Sequence, residues 1–117
     1  LQIIVWSPAT AALVDNIQLP LAPITSALHV DHFNPSGIAI DPVTGHFIIV
    51  AARQKSLLEL AADGQLVAAR RLRMPNRHRQ AEGIELTDDG RLLIADEGGD
   101  KKARLAIYRP RKSGESK

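Results

Sequence analysis

One sequence pattern occurs twice in the chain, as SGIAIDPVTGHFIIV at residues 36–50 and as EGIELTDDGRLLIA at residues 82–95. In each copy an alternating apolar run leads into a turn rich in Asp, Pro or Gly, and a second apolar run follows. This arrangement is typical of a β-hairpin. Gly37 aligns with Gly83 and Gly45 aligns with Gly90, so the copies are offset by 46 residues at the start and by 45 after a turn that is one residue shorter.

Both copies continue with further apolar runs. After the first copy come residues 56–60, a turn at Ala62-Asp63-Gly64, and residues 65–72. After the second copy comes one run, residues 103–109. Residues 56–73 are also rich in helix formers, but a helix there would carry Gly64 in its interior at a cost of roughly 1 kcal/mol. The pattern therefore predicts four strands in the middle unit and three in the last.

The first 35 residues are less regular. Residues 1–6 predict a buried strand that resembles the second strand of a unit whose first strand is missing. Residues 11–19 predict one or two further strands. Pro20, Pro23 and Pro35 then predict an irregular connection, because proline fits poorly into regular elements.

Four-stranded units of about 45 residues have the size of β-propeller blades. We therefore predict an all-β fold of about two and a half four-stranded antiparallel blades in an incomplete ring. Its parts are a partial blade with an irregular connection (1–33), a complete blade (34–79), a last blade (80–110) and a disordered tail (111–117). Because propellers close with roughly four to eight blades, we expect the remaining blades to come from the same longer chain or from other copies.

Composition excludes several classes of protein. The 117 residues are 44% hydrophobic and 24% charged, which argues against a disordered or fibrous chain. No apolar stretch approaches the roughly 20 residues of a membrane span, and cysteine-based scaffolds are excluded because the chain has no cysteine. Five basic residues fall between Arg70 and Arg79, but four aromatic residues are too few for a base-stacking platform. We interpret this cluster as a solvated loop and strand edge, where Arg and Lys are common, and expect no nucleic-acid partner.

The amino-acid residues of the repeats point to a particular family, which the length of the repeats alone does not. Residues 35–50 with 58–64, and the stretch QAEGI at 80–84 with DGRLLIADE at 89–97, resemble blades of the SdiA-regulated protein family. The resemblance covers roughly residues 34–109, although the repeats of NHL-type and gluconolactonase-like propellers have a related sequence pattern. It implies a bacterial extracytoplasmic propeller of undefined activity, in the periplasm or cell envelope. Such proteins are often anchored to the membrane by an N-terminal segment, which we expect this chain to lack.

Three carboxylates are the candidate metal ligands. Glu82 stands at the start of a first strand, and Asp96 and Glu97 follow the end of the second, so all three are expected on one face. Carboxylate oxygens suit a hard cation such as Ca²⁺. The alternative is that Glu82 accepts backbone N–H bonds or pairs with Arg77 or Arg79, which would fix the loop.

Other polar residues are expected on the same ligand face, where a small molecule would bind. They are Asn34, Ser36, Arg53, His78 and Arg79. His78 is a candidate acid or base there. His29 and His32 have a spacing that would bring them together on a helical turn, and His46 is expected to face solvent.

The sequence predicts a ligand-binding or scaffold module of undefined activity, with calcium as its candidate cofactor. The alternative is a divalent-cation-dependent propeller hydrolase, lactonase-like or phosphodiesterase-like, that uses Glu82. No Gly-X-Ser-X-Gly nucleophile elbow surrounds Ser36, and no phosphate-binding loop occurs. Whether the protein is an enzyme stays open at this point.

Overall fold

The computed structural model describes residues 1–72, 81–96 and 102–109, with the backbone alone at residues 81 and 82. These residues form nine strands and one helix, which are β1 (Gln2–Ser7), β2 (Ala12–Gln18), α1 (Leu21–Leu28), β3 (Gly37–Ile40), β4 (Phe47–Ala51), β5 (Ser56–Leu60), β6 (Leu66–Arg71), β7 (Ala81–Leu86), β8 (Leu92–Asp96) and β9 (Arg104–Tyr108). The two strands predicted for each repeat copy are therefore present, as β3 and β4 in the first copy and as β7 and β8 in the second.

The strands form three antiparallel sheets in the order of the chain. The first sheet pairs β1 with β2, the second has the order β3-β4-β5-β6, and the third has the order β7-β8-β9. Within each sheet, every strand pairs with the strands next to it in sequence, which is the meander of a propeller blade. The predicted all-β, blade-like fold is confirmed.

Three hairpin turns use a glycine with positive φ. Gly45, Gly64 and Gly90 have φ values of 75°, 92° and 84°, which L-residues with a side chain rarely adopt. In the turns at Gly64 and Gly90 the glycine N–H donates to the carbonyl three residues earlier, at 2.8 and 2.9 Å. At Gly45 the N–H instead reaches Asp41, four residues earlier, at 2.8 Å. The one-residue difference between the repeat copies thus lies in the turn.

The connection between the first two sheets holds a helix that the sequence analysis did not predict. Helix α1 begins after Pro20, which is its N-cap, and Pro23 is its third residue. Proline is tolerated there because the first N–H groups of a helix have no intrahelical partner. The helix ends at Leu28, and His29 adopts a left-handed conformation with φ 56°. The proposed helical turn that would bring His29 and His32 together is therefore wrong.

Strand β1 exists as predicted, but it is not fully buried. Its residues alternate between exposed and half-buried, and Ile4 and Trp6 are more than half exposed. Only one face of this sheet packs against the second sheet, through Ile3 and Val5. Alternation with a period of two follows directly from strand geometry.

The position of β1 and β2 in the chain also differs from the prediction. The two strands begin ten residues apart, at Gln2 and Ala12, as β5 and β6 do at Ser56 and Leu66. The next strand along the chain opens a new sheet in both cases. By order, β1 and β2 therefore match the third and fourth strands of a blade rather than its second strand.

The four-stranded sheet packs against other elements on both faces at its centre, where strand β4 lies. One face packs against the first sheet and α1 in a core of ten buried residues: Ile17, Leu19, Ile24, Leu28, Phe33, Phe47, Ile49, Ala51, Leu58 and Leu60. The other face packs against the third sheet, where Val50 meets Ile94. All five residues of β4 are buried as a result. The three sheets thus form a stack, as neighbouring blades do. Among the described residues, no helix has the length and apolar character that crossing a membrane requires.

Candidate functional site

We define the upper edge of the stack as the side where β3 and β7 begin and where β4 and β8 end. In the second sheet Gly37 pairs with Val50 at this edge, and in the third sheet Ala81 pairs with Asp96. The hairpin turns that contain Gly45 and Gly90 lie at the opposite ends of these strands. The upper edge therefore holds the sequence-predicted ligand residues that the structure describes.

Asn34 is fixed by a reciprocal pair of hydrogen bonds. Its backbone N–H donates to Oε1 of Gln54 at 3.0 Å, and Nε2 of Gln54 donates to Oδ1 of Asn34 at 2.9 Å. Gln54 belongs to the turn between β4 and β5. The amide pair thus ties the segment that leads into β3 to the next turn at the same edge.

Ser36 also uses its side chain within the edge. Its Oγ donates to the carbonyl of Val50 at 3.3 Å and accepts from the N–H of Ala52 at 3.1 Å. Its own N–H donates to the same Val50 carbonyl at 2.8 Å. Ser36 therefore continues the β3–β4 ladder by one residue and holds the start of the β4–β5 turn.

The β4–β5 turn presents cationic side chains at this edge. Arg53 and Lys55 are both exposed, and Lys55 has a φ of 50°. The carbonyl of Lys55 accepts from the N–H of Leu72 at 2.6 Å, which fastens the turn to the end of β6. Of these residues, the sequence analysis identified Arg53 but not Lys55.

Arg71, at the end of β6, caps the helix. Its Nε and Nη2 donate to the carbonyl of Leu28 at 3.2 and 3.0 Å, and Nη2 also reaches the carbonyl of His29 at 3.4 Å. A guanidinium is well suited to the last carbonyls of a helix, where the helix dipole is negative. Arg71 therefore has a structural role at the end of the helix.

Glu82 occupies a β-bulge at the upper edge of the third sheet. The register between β7 and β8 shifts between Ala81 and Gly83, which pair with Asp96 and Ala95, so Glu82 is the extra residue. Bulges often occur beside functional sites, where they change the direction of a strand. A Cβ added to Gly83 would lie 3.1 Å from Cβ of Ala95, which explains the glycine at this crowded position.

Asp96 lies at the same end of the β7–β8 pair as Glu82. It is buried, with 7% of its surface exposed, and it stands opposite Ala81 on one side and Arg104 on the other. Asp96 matches Ala51 of the preceding sheet in the repeat. The backbone thus places two of the three predicted carboxylate residues at one end of one strand pair.

The other predicted residues fall outside the described part of the chain. These are Glu97, His78 and Arg79, together with the side chain of Glu82. Within residues 1–72, 81–96 and 102–109, no three His, Cys, Asp or Glu side chains cluster closely enough to hold a metal ion. The calcium site therefore stays a prediction.

Aspartates at the opposite edge stabilise the turns. Oδ1 of Asp41 accepts from the N–H of Val43 at 2.8 Å, and this bond is the main reason that the pKa of Asp41 lies below its ordinary value. The pKa of Asp89 is lowered mainly because it accepts a hydrogen bond from the hydroxyl of Thr87. Asp89 also pairs with Arg91 at 3.2 Å.

A histidine–carboxylate contact was missed by the sequence analysis. Nδ1 of His46 lies 2.6 Å from Oε2 of Glu59, and both side chains are about one-third exposed. His46 thus does not simply face solvent as expected. It precedes β4, and Glu59 pairs with Ile48 in the neighbouring strand. Only the β4–β5 register brings the two together, and a spacing of 13 residues in the sequence carries no such signal.

A family model described as SdiA-regulated matches residues 15–114. No curated protein matches the chain. The matched range covers most of the chain and includes both repeat copies. The chain belongs to the SdiA-regulated family.

Proposed function

We propose that the chain forms part of an extracytoplasmic bacterial β-propeller that acts as a ligand-binding or scaffold module, with its ligand at the upper edge. The observation that carries this proposal is the hydrogen-bonded frame of Asn34, Gln54 and Ser36. These side chains are engaged in holding two loops in place, as expected of a rigid rim that supports a binding surface. A binding site needs its contact residues to be held in place by the residues around them.

The periplasmic or envelope location rests on the family, as in the sequence analysis. Fractionation of cells that produce the native protein tests it, with a cytoplasmic marker as control. Recovery with the cytoplasmic marker would contradict this part of the proposal.

Calcium is the proposed cofactor of this edge. The bulge at Glu82 and the neighbouring Asp96 supply carboxylates at one end of β7 and β8, and Glu97 follows directly in sequence. Ca²⁺ takes six to eight oxygen ligands at about 2.3 to 2.6 Å, so backbone carbonyls or residues of other blades would complete the set.

A thermal-unfolding series with and without calcium tests this cofactor. A ligand that binds only the folded state raises Tm, and the rise grows with the logarithm of ligand concentration above Kd. We expect calcium to raise Tm of the wild type and of Glu85→Gln, a matched control on the same strand, but not of Glu82→Gln. If calcium raises Tm equally in the two variants, Glu82 is not a calcium ligand.

The hydrolase alternative is tested on the native protein with ester, lactone and phosphoester substrates. A binding or scaffold module shows no turnover with or without calcium. The hydrolase would be established instead if turnover is lost both on chelation and in Glu82→Gln. The variant must then have the same Tm as the wild type without added calcium, which shows that its fold is intact.

A further inference from the structure

The charged residues of the stack are divided unevenly between its two edges. In the described part of the chain, the basic residues at the upper edge outnumber the acidic ones, Asp31, Glu82 and Asp96; they are Arg53, Lys55, Arg70, Arg71, Lys102 and Arg104. At the opposite edge the described acidic residues outnumber Arg91 and Arg109; they are Asp41, Glu59, Asp63, Asp88 and Asp89. The stack therefore has a positive edge and a negative edge.

The basic residues of the upper edge are spread along it. Arg53 and Lys55 belong to the β4–β5 turn, and Arg70 lies at the end of β6. Lys102 and Arg104 lie where β9 begins, and all five side chains are exposed. The apolar groove at this edge, between the first and second sheets, is lined by no charged side chain. Because the cations follow the edge instead of surrounding this groove, they fit an extended anionic surface better than one small anion.

Helix α1 lies at the same edge. Just before it, the N–H of Leu19 donates to the carbonyl of Leu1 at 2.9 Å, and Leu1 lines the groove at this edge. Arg71 holds the other end of the helix. The helix contains no charged residue, and its exposed residues are mostly apolar: Leu21, Ala22, Pro23, Ser26 and Ala27. An uncharged, partly apolar surface thus lies beside the cations.

We propose that the upper edge is a peripheral membrane-binding surface that recognises anionic lipid headgroups. Helix α1 contacts the interfacial region of the bilayer, and the basic residues of the neighbouring turns lie on the lipid phosphates. Surfaces that combine apolar residues with cations bind anionic bilayers in this way. Because the opposite edge is acidic, an anionic membrane repels it and selects one orientation of the stack. The inference rests on the proposed function for a ligand at this edge and names that ligand as an anionic lipid surface.

Co-sedimentation of the native protein with lipid vesicles, without calcium, tests the proposal. We expect binding to phosphatidylcholine vesicles that contain about 30% phosphatidylglycerol but not to pure phosphatidylcholine. A rise in NaCl from roughly 0.05 to 0.5 M should weaken binding at least about tenfold, because salt screens the charges. Equal binding to both vesicles that persists in high salt, or no binding to either, would overturn the proposal. Since calcium is absent, this test and the calcium test of the proposed function fail separately.

Two double variants with the same change in net charge test which edge binds. Each Lys or Arg near an anionic surface strengthens binding roughly fivefold, so Arg53→Gln with Arg70→Gln should weaken it about 25-fold. Arg91→Gln with Arg109→Gln removes two arginines from the opposite edge and should change binding less than about twofold. Thermal unfolding shows whether both variants are folded. Equal losses would mean that binding follows net charge alone, and this would overturn the proposal.

The contact of α1 with the bilayer is tested at Leu21, which is 44% exposed. Leu21→Gln should weaken vesicle binding roughly fivefold, whereas Val43→Gln in a turn at the opposite edge should change it less than about twofold. Equal binding of the two variants would overturn the contact of α1. A short DNA duplex that displaces the protein from vesicles and binds it as tightly would assign the edge to polyanions in general and overturn the choice of lipid.

Discussion

Gly64 meets two separate requirements at the scale of the single residue. Its φ of 92° excludes most side chains, and a Cβ there would lie 2.6 Å from Cγ2 of Ile17 and 3.0 Å from the carbonyl oxygen of Gln18. The β5–β6 turn therefore approaches β2 of the neighbouring sheet too closely for any side chain. Gly45 has a similar φ but nothing within 4 Å of an added Cβ.

Gly64→Ala and Gly45→Ala separate these two requirements. We expect Gly45→Ala to cost about 1 kcal/mol of unfolding free energy through backbone strain alone. Gly64→Ala adds a steric clash and is expected to cost roughly 3 kcal/mol. Urea unfolding measures both, and equal losses would show that the contact with Ile17 relaxes freely.

Asp41 makes part of the stability depend on pH. Its pKa is lowered in the folded state by the hydrogen bond from the Val43 N–H. The unfolded state therefore takes up the proton first as pH falls, so the contribution is present above about pH 4 and is lost as pH falls through the lowered pKa.

The variant Asp41→Asn tests whether stability falls with pH because Asp41 is protonated. The variant should lose less stability than the wild type between pH 5 and pH 2.5, because the titrating group is gone. The measurement is urea unfolding at both pH values, with Asp15→Asn as an exposed control. A wild-type pH dependence that is unchanged in Asp41→Asn would contradict the assigned cause.

At the scale of the element, Arg71 completes the C-terminal cap of α1, which His29 begins with a left-handed backbone conformation. The helix has no basic residue in its last turn and no side-chain N-cap bond. The carbonyls of Thr25 and Ser26 accept from backbone N–H groups that follow the helix, and the carbonyl of Leu28 accepts from an arginine that lies 43 residues later in the sequence. The cap thus links the connection between sheets to β6, against which α1 packs.

Arg71→Ala is expected to cost roughly 1–2 kcal/mol, because charge-assisted bonds to the helix terminus are lost. Arg71→Lys should recover part of this loss, since lysine keeps the charge but not the forked geometry. The neighbouring exposed Arg70→Ala is the control, with a change within about 0.5 kcal/mol. Thermal unfolding ranks the three, and equal losses in Arg70→Ala and Arg71→Ala would contradict the capping role.

At the scale of the whole molecule, Ile94 joins the second and third sheets. It is fully buried and meets Val50, which is also fully buried. We expect Ile94→Ala to cost about 2–5 kcal/mol, in the range of other buried truncations. Val43→Ala in an exposed turn should change stability by less than about 0.5 kcal/mol. A small loss for Ile94→Ala would mean that the two sheets do not form one cooperative unit.

The sequence predicted those parts of the fold that local rules determine. Glycines at turn positions and alternating apolar residues specify hairpins without reference to distant contacts. Helix α1 was missed because Pro20 and Pro23 suggested a broken connection, although both lie where a helix tolerates proline. The exposure of Ile4 and Trp6 was missed because it depends on which sheet faces are covered, and a strand's own residues do not show that.

The candidate site was predictable to a smaller extent. Strand order alone placed Glu82 and Asp96 at one end of a strand pair. The bulge at Glu82, the Asn34–Gln54 pair and the His46–Glu59 contact each depend on register or on loop geometry. Such features arise only when the strands pair and the loops take their conformation, so spacing in the sequence did not indicate them.

The central claim is that Glu82, Asp96 and Glu97 share the upper edge and form its ligand site. The most direct test is a crystal structure of the native protein grown with calcium chloride. The account predicts all three carboxylates on this edge and a calcium ion bound by Glu82 at about 2.3 to 2.6 Å. Glu82 and Glu97 on opposite faces of the stack, with no ion beside Glu82, would contradict it.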